Sequence, residues 1–320
     1  MNVAFLGLGD IGAPMARHLA APPFTLAVWN RTRARADQFA ATLPADAAAR
    51  VADSPADAVR GATIIVTCLP TSHEVEALLD GPDGLLAGLA RGAVLADCTS
   101  GDPDGSRRIA ARLAERGVAF IDAPVSGGTI GAEKGTLTIM VGGEAAALDQ
   151  ARPALAAFGQ KIVHAGPVGA GDALKAVNNA LLAVNVWSTG EGLAALEKAG
   201  VRAEVALDVI NASSGRSNAS MNLFPERVLT RAFPRNFRLA LLAKDAGIAA
   251  DFIRGQGVDA PLISRAAELF RDARDTLGEA ADHVEAVRVI EAQAGVEIGG
   301  AAGHDETPEE QATDVLEQPL

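Results

Sequence analysis

The sequence predicts an α/β protein: a Rossmann-type domain with a doubly wound parallel sheet, followed by an all-α domain joined to it by a long helix. The first observation is a GxGxxG pattern at 7–12, between an apolar run and a helical pattern. The second is the alternation of short apolar segments with helical ones as far as residue 163. The third is the almost continuous helical periodicity beyond residue 200.

The chain has 320 residues, which is long enough for two domains with separate cores. We expect the Rossmann domain at 1–165, an all-helical domain at 166–296 and a disordered acidic tail at 297–320. The formal net charge is -12, and the residues from 299 onward carry six Asp and Glu with no Lys or Arg. The folded part is therefore only mildly acidic, and the tail lacks the apolar periodicity of a packed segment.

The N-terminal glycine-rich loop predicts a dinucleotide site. In such loops the first glycine allows a tight turn, the second lets the backbone approach a pyrophosphate, and the third lets the next helix pack against the strand. The start of that helix adds N–H donors and the positive end of its dipole. The loop residues are Gly7, Leu8, Gly9, Asp10, Ile11 and Gly12.

The second predicted strand, residues 25–29, ends in Asn30, Arg31 and Thr32. An acidic side chain at this point would bind the ribose 2′-hydroxyl of NAD, whereas an arginine can pair with the 2′-phosphate of NADP. No Asp or Glu stands there. The sequence therefore favours NADP, with NAD possible; the alternative role for Arg31 is to cap the helix that follows.

Further strands are predicted at 63–67, 93–97, 118–122, 137–141 and 161–163. Doubly wound sheets bind ligands beyond the carboxyl ends of their strands. Leu69 and Pro70 follow one strand, and Thr99 and Ser100 follow the next. We expect these residues beside the ribose and nicotinamide, although each pair is also compatible with an ordinary turn.

A glycine-rich segment at 122–137 contains Ser126, Gly127 and Gly128. Glycines around a hydroxyl predict a flexible loop with exposed N–H donors, which suits a small carboxylate. Composition alone is equally compatible with a surface turn.

A second glycine-rich stretch, 166–172, leads into a predicted helix of unusual length at 173–200. Lys175 and Asn179 lie one turn apart on one face of this helix. A buried lysine must be partnered or neutral, and such lysines often exchange protons with a substrate. The alternative is a lysine that extends along the helix into water.

Composition argues against several classes of protein. No apolar run reaches the roughly 18 residues that span a bilayer, and the N-terminal run lacks the basic residues of a signal peptide, so we expect a cytoplasmic protein with no membrane partner. The sequence has no stripe of basic residues of the kind that nucleic-acid binding requires, so we expect no nucleic-acid partner. The chain has no Tyr, which excludes a Tyr-dependent mechanism.

The cysteines and histidines do not predict a metal site. Cys68 and Cys98 close apolar runs without CxxC spacing, and the five histidines form no HxxxH or Cys/His pattern. We expect reduced, buried thiols and no bound metal. His283, on an apolar helix, is interpreted as structural. Helices are predicted at 203–211, 239–255, 261–277 and 283–294, with a polar SSGR loop at 213–216.

Four motifs in order resemble the β-hydroxyacid dehydrogenase family, which includes 3-hydroxyisobutyrate dehydrogenases, tartronate semialdehyde reductases and glyoxylate/succinic semialdehyde reductases. GLGDIGAPMARHL resembles its cofactor loop, DAPVSGGTIGAEKGTL its substrate loop and GAGDALKAVNN the start of its catalytic helix. FRLALLAKDAGIAAD, which contains Lys244 and Asp245, resembles its KD motif. The resemblance covers about residues 1–291.

The resemblance implies that Lys175 is the catalytic acid/base and that Lys244 reaches the cofactor. It also implies that Asn179 and the segment from Ser126 to Gly128 bind substrate, and that the helical domain supports a homodimer or homotetramer. Asp10 departs from the pattern by placing a negative charge near phosphates. Glu74 stands where some members present an Asn, so we leave it out of the site.

We therefore expect an NADP-preferring dehydrogenase or reductase that interconverts a small β-hydroxy acid and its semialdehyde, with 3-hydroxyisobutyrate or a close relative as the leading substrate. The SSGR string favours the 3-hydroxyisobutyrate branch, whereas Asn30 and Arg31 resemble the NADP-using reductases. One alternative is imine reduction, although relatives with that activity usually lack the lysine. Another is a non-catalytic NADP-binding sensor, which would not need Lys175 or the substrate loop.

Overall fold

The structure of the chain is a computed structural model that describes residues 1–300. Within this range the chain forms nine strands of one sheet. In chain order they are β1 (Asn2–Leu6), β2 (Thr25–Trp29), β3 (Ala49–Val51), β4 (Ile64–Thr67), β5 (Val94–Asp97), β6 (Ala119–Asp122), β7 (Val125–Ser126), β8 (Leu137–Gly143) and β9 (Gly159–Gly166).

Eight helices accompany the sheet, and they belong to the N-terminal half. They are α1 (Gly12–Arg17), α2 (Arg33–Ala41), α3 (Pro55–Val59), α4 (Ser72–Ala77), α5 (Leu85–Gly88), α6 (Pro103–Ala114), α7 (Gly128–Lys134) and α8 (Ala145–Leu155).

The C-terminal half is helical as far as it is described. Its members are α9 (Ala170–Lys198), α10 (Ala203–Asn211), a π-helix (Ala219–Val228), α11 (Leu239–Gly255), α12 (Pro261–Leu277), a 3₁₀ turn (His283–Ala286) and α13 (Val287–Ala294).

Six strands form the predicted parallel sheet, in the spatial order β3-β2-β1-β4-β5-β6. Beyond β6 the sheet becomes mixed, because β8 runs antiparallel to β6 and β7 and only β9 is parallel to it. The connection from β7 to β8 contains α7 and reverses the direction of the chain. A crossover connection would instead have returned the chain to the amino ends of the parallel strands. The short edge strand β3 was not predicted, since its three residues do not form an apolar run.

Both faces of the sheet are buried, as a doubly wound arrangement requires. Val3 and Phe5 of β1 pack into one apolar cluster, and Ala4 and Leu6 of the same strand pack into another on the opposite face. Successive side chains of a strand point to opposite faces, so this alternation shows helices covering the sheet on both sides.

Helix α9 has 29 residues and joins the sheet domain to the helical domain. Its first turns contact β8 and β6, and the rest of the helix packs on α11, α12 and α13. The helix begins three residues earlier than predicted. At its other end Ala183, Val186 and Leu193 enter the core of the helical domain.

We propose that the helical domain extends to Gly300 rather than ending at residue 296. Ile298 is fully buried in the helical core, and its backbone N–H donates to Oε1 of Glu291 at 3.0 Å. The rest of the predicted acidic tail, 301–320, lies outside the described residues. Within 1–300, every helix is too short or too polar to cross a membrane.

Candidate active site

The glycine-rich loop follows β1 and meets the carboxyl end of β4. A Cβ atom added to Gly7 would lie 2.2 Å from the carbonyl oxygen of Cys68, and one added to Gly12 would lie 2.0 Å from the carbonyl oxygen of Gly7. Both positions therefore require glycine for packing. A Cβ added to Gly9 would meet nothing within 4 Å, which leaves open space beside the backbone where a pyrophosphate can approach. The loop thus fits a dinucleotide.

The end of β2 is tied to the same loop. The side-chain oxygen of Asn30 accepts a hydrogen bond of 3.0 Å from the backbone N–H of Leu8. Arg31 is exposed and makes no ion pair within residues 1–300, and it does not cap α2, whose N-cap is Thr32. By contrast, Arg33 forms ion pairs with Asp37 and Asp53. The charge of Arg31 is therefore available to a ligand at this strand end.

The ends of β4 and β5 meet the helical domain through Lys244. The backbone N–H of Leu69 donates to Oγ1 of Thr99 at 3.0 Å and joins the two strand ends. Nζ of Lys244, on α11, donates to the carbonyl oxygens of Pro70 and Ser100. A cavity of about 270 Å³ opens beside these groups and is lined partly by Thr71, Ser100 and Lys244. The structure therefore brings four predicted cofactor residues together at one edge of the sheet.

Two buried carboxylates hold the start of α9 against the sheet. Asp122, at the end of β6, accepts hydrogen bonds from the backbone N–H groups of Gly169 and Asp172, at 2.7 and 2.9 Å. Asp172 in turn accepts from the backbone N–H of Gly101 and from Oγ of Ser106, at 3.0 and 2.6 Å. Burial raises the pKa of both carboxyl groups. The first turn of α9 is thus fixed one turn before Lys175.

Lys175 lies in the protein interior, so it does not extend into water along the helix. Its side chain is on the buried face of α9, and the residue is only 8% exposed. Asn179, one turn later, donates from Nδ2 to Oδ2 of Asp245 on α11 at 2.6 Å. Asp245 also contacts Nζ of Lys244 at 3.1 Å. A lysine, an amide and a carboxylate from two helices are therefore assembled at one place.

The environment of Lys175 changes its acidity. Burial lowers the pKa of the amine, the carboxylate of Asp245 opposes this effect, and the ammonium of Lys244 adds to the lowering. A lysine with a lowered pKa has a larger neutral fraction near neutral pH, so it can accept a proton as well as donate one.

The substrate segment was predicted as a flexible loop, but it forms the short strand β7 and helix α7. Ser126 pairs with Thr138 of β8, and Gly127 and Gly128 follow with φ angles of +137° and +64°. These conformations favour glycine. The side chain of Asn236, from the helical domain, contacts this segment through Thr129 at 2.9 Å.

Apart from the segment from Ser126 to Gly128, most of the predicted site residues fall into three groups. The glycine loop lies with Asn30, the ends of β4 and β5 lie with Lys244, and Lys175 lies with Asn179. Within residues 1–300, no hydrogen bond joins the segment from Ser126 to Gly128 directly to Lys175 or Asn179. Asp10 is exposed on the loop.

The sequence analysis gave no role to four polar residues that organise the site. Three of them, Asp122, Asp172 and Asp245, are acidic side chains at a strand end or within a helix with apolar neighbours, where burial requires a partner. The fourth, Asn236, lies in an irregular segment before α11 and has no such signal.

Cys98 and His283 are buried as predicted, but Cys68 is less buried than predicted. Cys98 is buried and Cys68 half-buried, neither is in a disulfide, and burial raises the pKa of Cys68 to about 12. A thiol with so high a pKa stays protonated and is a poor nucleophile. His283 is buried against Asp282 and Phe237 and has a structural environment. No group of three His, Cys, Asp or Glu suited to a metal occurs within 1–300.

Two family models match the chain. The model of the NAD-binding domain of 6-phosphogluconate dehydrogenase matches residues 2–166, and that of NADP-dependent 3-hydroxyisobutyrate dehydrogenase matches residues 169–290. The two matches divide the chain at the start of α9.

Individual relatives cover nearly the whole chain. An NAD-dependent L-serine dehydrogenase from Pseudomonas aeruginosa is 40% identical over 84% of this chain and 91% of its own length. A 2-(hydroxymethyl)glutarate dehydrogenase from Eubacterium barkeri is 35% identical over 94% of this chain and 98% of its own. The solved 3-hydroxyisobutyrate dehydrogenase of Mycobacterium tuberculosis with L-serine is 31% identical, with a TM-score of 0.82 over 90% of this chain and 98% of the other.

The fold, the glycine loop and these similarities define the class: the chain is an NAD(P)-dependent oxidoreductase that acts on CH–OH groups. Within that class it belongs to the β-hydroxyacid dehydrogenase family. The predictions of fold class and family from the sequence are confirmed.

Proposed function

We propose that the protein interconverts a small β-hydroxy acid and its semialdehyde, with Lys175 as general acid and base. The observation that carries this proposal is the burial of Lys175 one turn from Asn179, whose amide is held by Asp245. Burial removes the amine from bulk water, and the fixed amide gives a substrate oxygen a defined neighbour.

The residues supply the proton chemistry of the reaction. The hydride chemistry would be supplied by a nicotinamide nucleotide held at the glycine loop and the ends of β4 and β5. In the oxidative direction, neutral Lys175 accepts the proton of the substrate hydroxyl; in the reductive direction, its ammonium returns a proton to the forming alkoxide. Asn179 orients the reacting oxygen, and Ser126 with Gly127 and Gly128 binds the substrate carboxylate, which is the role that the sequence predicted for them.

The names of the relatives support one substrate class. L-Serine, 2-(hydroxymethyl)glutarate and 3-hydroxyisobutyrate each carry a hydroxymethyl group on the carbon that bears a carboxylate, and they differ in the third substituent. We propose that this chain accepts the same unit, with 3-hydroxyisobutyrate or a close relative as the first candidate.

We propose NADP as the preferred cofactor, with NAD also accepted. The exposed guanidinium of Arg31 at the end of β2, unpaired within the described residues, supports binding of a 2′-phosphate. The residues that would hold the rest of the nucleotide are the glycine loop from Gly7 to Gly12, Asn30, Thr32, Leu69, Pro70, Ser100 and Lys244.

Two other functions are less well supported. Imine reduction also consumes a proton, so Lys175 is compatible with it, but three relatives that are at least 35% identical are named for hydroxy acids and not for imines. A sensor that only binds nucleotide would have no use for the buried Lys175 on the helical side of the cleft.

The direct experiment is a panel of C3 to C5 β-hydroxy acids and semialdehydes, each assayed with NAD and NADP by nicotinamide absorbance. We expect turnover of at least one acid with the shared hydroxymethyl-carboxylate unit. Absence of turnover with every acid and semialdehyde, by a protein that binds NADP, would remove the proposed activity.

We also propose that the chain forms a homodimer or homotetramer. Exposed apolar side chains on α9 and α10 support this: Leu181 is 52% exposed, Val205 48% and Val209 62%. Light scattering should give a mass of two or four chains, and L181E with V209E should lower it; a monomeric wild type would contradict the proposal. The cytoplasmic location stays a prediction.

A further inference from the structure

The segment 230–238 of the helical domain crosses to the substrate segment of the sheet domain. Its conformation is unusual, since Arg231 and Phe233 have φ angles of +55° and +40° without being glycine. Both are fixed by their neighbours: Arg231 pairs with Glu291, and the guanidinium of Arg288 lies 4.5 Å from the centre of the Phe233 ring. The segment is therefore held in a strained path rather than left as a free loop.

A buried carboxylate fixes the backbone of this segment at Asn236. Oδ2 of Asp282 accepts hydrogen bonds from the N–H groups of Asn236 and Phe237, each at 3.0 Å. The backbone N–H of His283 donates to the carbonyl oxygen of Phe237 at 2.9 Å. Asp282 is only 1% exposed. The position of the Asn236 side chain is thus determined by the core of the helical domain.

The side-chain amide of Asn236 lies directly over Gly128. Oδ1 accepts from Oγ1 of Thr129 at 2.9 Å, which orients the amide. A Cβ atom added to Gly128 would lie 3.2 Å from Oδ1 and 3.9 Å from Nδ2 of Asn236. Within residues 1–300, Nδ2 has no hydrogen-bond partner, so its two N–H donors are available beside the segment proposed to bind the substrate carboxylate.

We infer that Asn236 is a specificity-determining residue whose Nδ2 donates a hydrogen bond to the substrate carboxylate. This inference rests on the proposed function. Recognition of the carboxylate would then come from both sides of the cleft, with Ser126, Gly127 and Gly128 on the sheet side and Asn236 on the helical side.

The test compares N236D with T129V in the full-length protein. Asp has nearly the shape of Asn and can still accept from Thr129, but it replaces the N–H donors with a negative charge. T129V removes the contact between the two domains at this point and keeps the N–H donors of Asn236, whose backbone stays fixed by Asp282. The two variants therefore separate carboxylate binding from contact between the domains.

The measurements are kcat and KM for the acid substrate of the wild type, and the inhibition constant of isobutyrate, which has the carboxylate and no hydroxyl. In N236D we expect KM and the inhibition constant to rise about tenfold or more, because the variant loses a hydrogen bond to a charged group and places a like charge beside the carboxylate. We expect kcat to stay within about threefold, and T129V to change either constant by less than about threefold.

Two outcomes would overturn the inference. If KM and the inhibition constant of N236D equal those of the wild type, the amide does not bind the carboxylate. Equal losses in N236D and T129V, with a lower kcat in both, would assign Asn236 to domain contact alone. Both results are read only if the wild type turns over the acid, so they are distinct from a failure of the proposed function. If the wild type oxidised no hydroxy acid, the proposed function would fail and the inference would fail with it.

Discussion

The side-chain amide of Asn179 donates a hydrogen bond of 2.6 Å to Oδ2 of Asp245, and this bond joins α9 to α11 beside Lys175. Asp245 also lies 3.1 Å from Nζ of Lys244. The acidity of Lys175 is therefore set by burial and by two charges of opposite sign on one helix, of which Asp245 has the larger effect. This arrangement predicts opposite effects of two neighbouring substitutions.

D245N removes the charge that favours the ammonium form of Lys175, so the pKa of Lys175 should fall. Oxidation of the hydroxy acid needs neutral Lys175, and its rate rises with pH through this pKa. The acidic limb of the pH profile of kcat should move to lower pH in D245N. K244M removes the like charge, so in that variant the limb should move to higher pH.

The two profiles are to be measured at saturating cofactor, because Lys244 also contacts Pro70 and Ser100. Profiles that move in the same direction in D245N and K244M would contradict the electrostatic account of Lys175.

Arg31 is predicted to decide between the two cofactors. R31D removes the cation proposed to bind the 2′-phosphate and adds a carboxylate that can accept from a ribose hydroxyl. We expect the ratio of kcat/KM for NADP to that for NAD to fall about tenfold or more. R35D, which places the same charge at an exposed site in α2, is the matched control. An equal loss in both variants would indicate a general effect of charge.

Gly9 and Gly12 are predicted to differ in what an added methyl group disrupts. In G12A the Cβ would overlap the carbonyl oxygen of Gly7, so we expect a loss of about 1–3 kcal/mol in the free energy of unfolding. In G9A the Cβ enters open space, so stability should change by less than about 0.5 kcal/mol. Cofactor affinity should still weaken in G9A, because the methyl group occupies the path of the pyrophosphate.

Denaturant unfolding and cofactor titration of both variants check this prediction. A folded G9A protein with wild-type affinity for NAD and NADP would mean that the nucleotide does not approach the loop at Gly9.

The free energy of unfolding should depend on pH because of Asp97, which lies at the end of β5. Burial raises its pKa from 3.8 to about 6, against the hydrogen bonds it accepts from Thr67 and Thr99. A raised pKa favours the protonated form in the folded state. The contribution of Asp97 to stability is therefore full below its unfolded pKa and is lost as the pH rises through about 6.

D97N keeps an acceptor for both hydrogen bonds and carries no charge. Near pH 8 it should be more stable than the wild type by up to about 3 kcal/mol, and the difference should shrink towards about pH 4. Urea unfolding at both pH values measures this. A variant that is less stable at the higher pH would show that Asp97 is stabilising as a carboxylate.

The sequence predicted the parts of the fold that depend on local pattern. The glycine loop, the strand 25–29 and the helices at 203–211, 239–255 and 261–277 lie where their periodicity and flanking residues indicated. These features arise from residues adjacent in the chain. The reversal of β8 did not follow, because the direction of a strand depends on how the preceding connection folds rather than on its own residues.

The principal residues of the site could be predicted from the sequence, but the residues that contact them could not. Lys175 and Asn179 are one turn apart and could be paired from helical spacing alone. Asp245 is 66 residues from Asn179, and Asn236 is 107 residues from Thr129, so their contacts depend on tertiary packing. The Pro-containing π-helix at Ala219–Val228 was also missed, because its residues have no simple helical stripe.

The central claim, that Lys175 transfers the proton, is tested most directly by the turnover of K175A with and without added methylamine. We predict that kcat falls by about 10²–10⁴-fold while cofactor affinity is unchanged, and that methylamine, which can enter the space left by the side chain, restores part of the rate as its neutral fraction increases. Turnover by K175A at the wild-type rate without amine would contradict the claim.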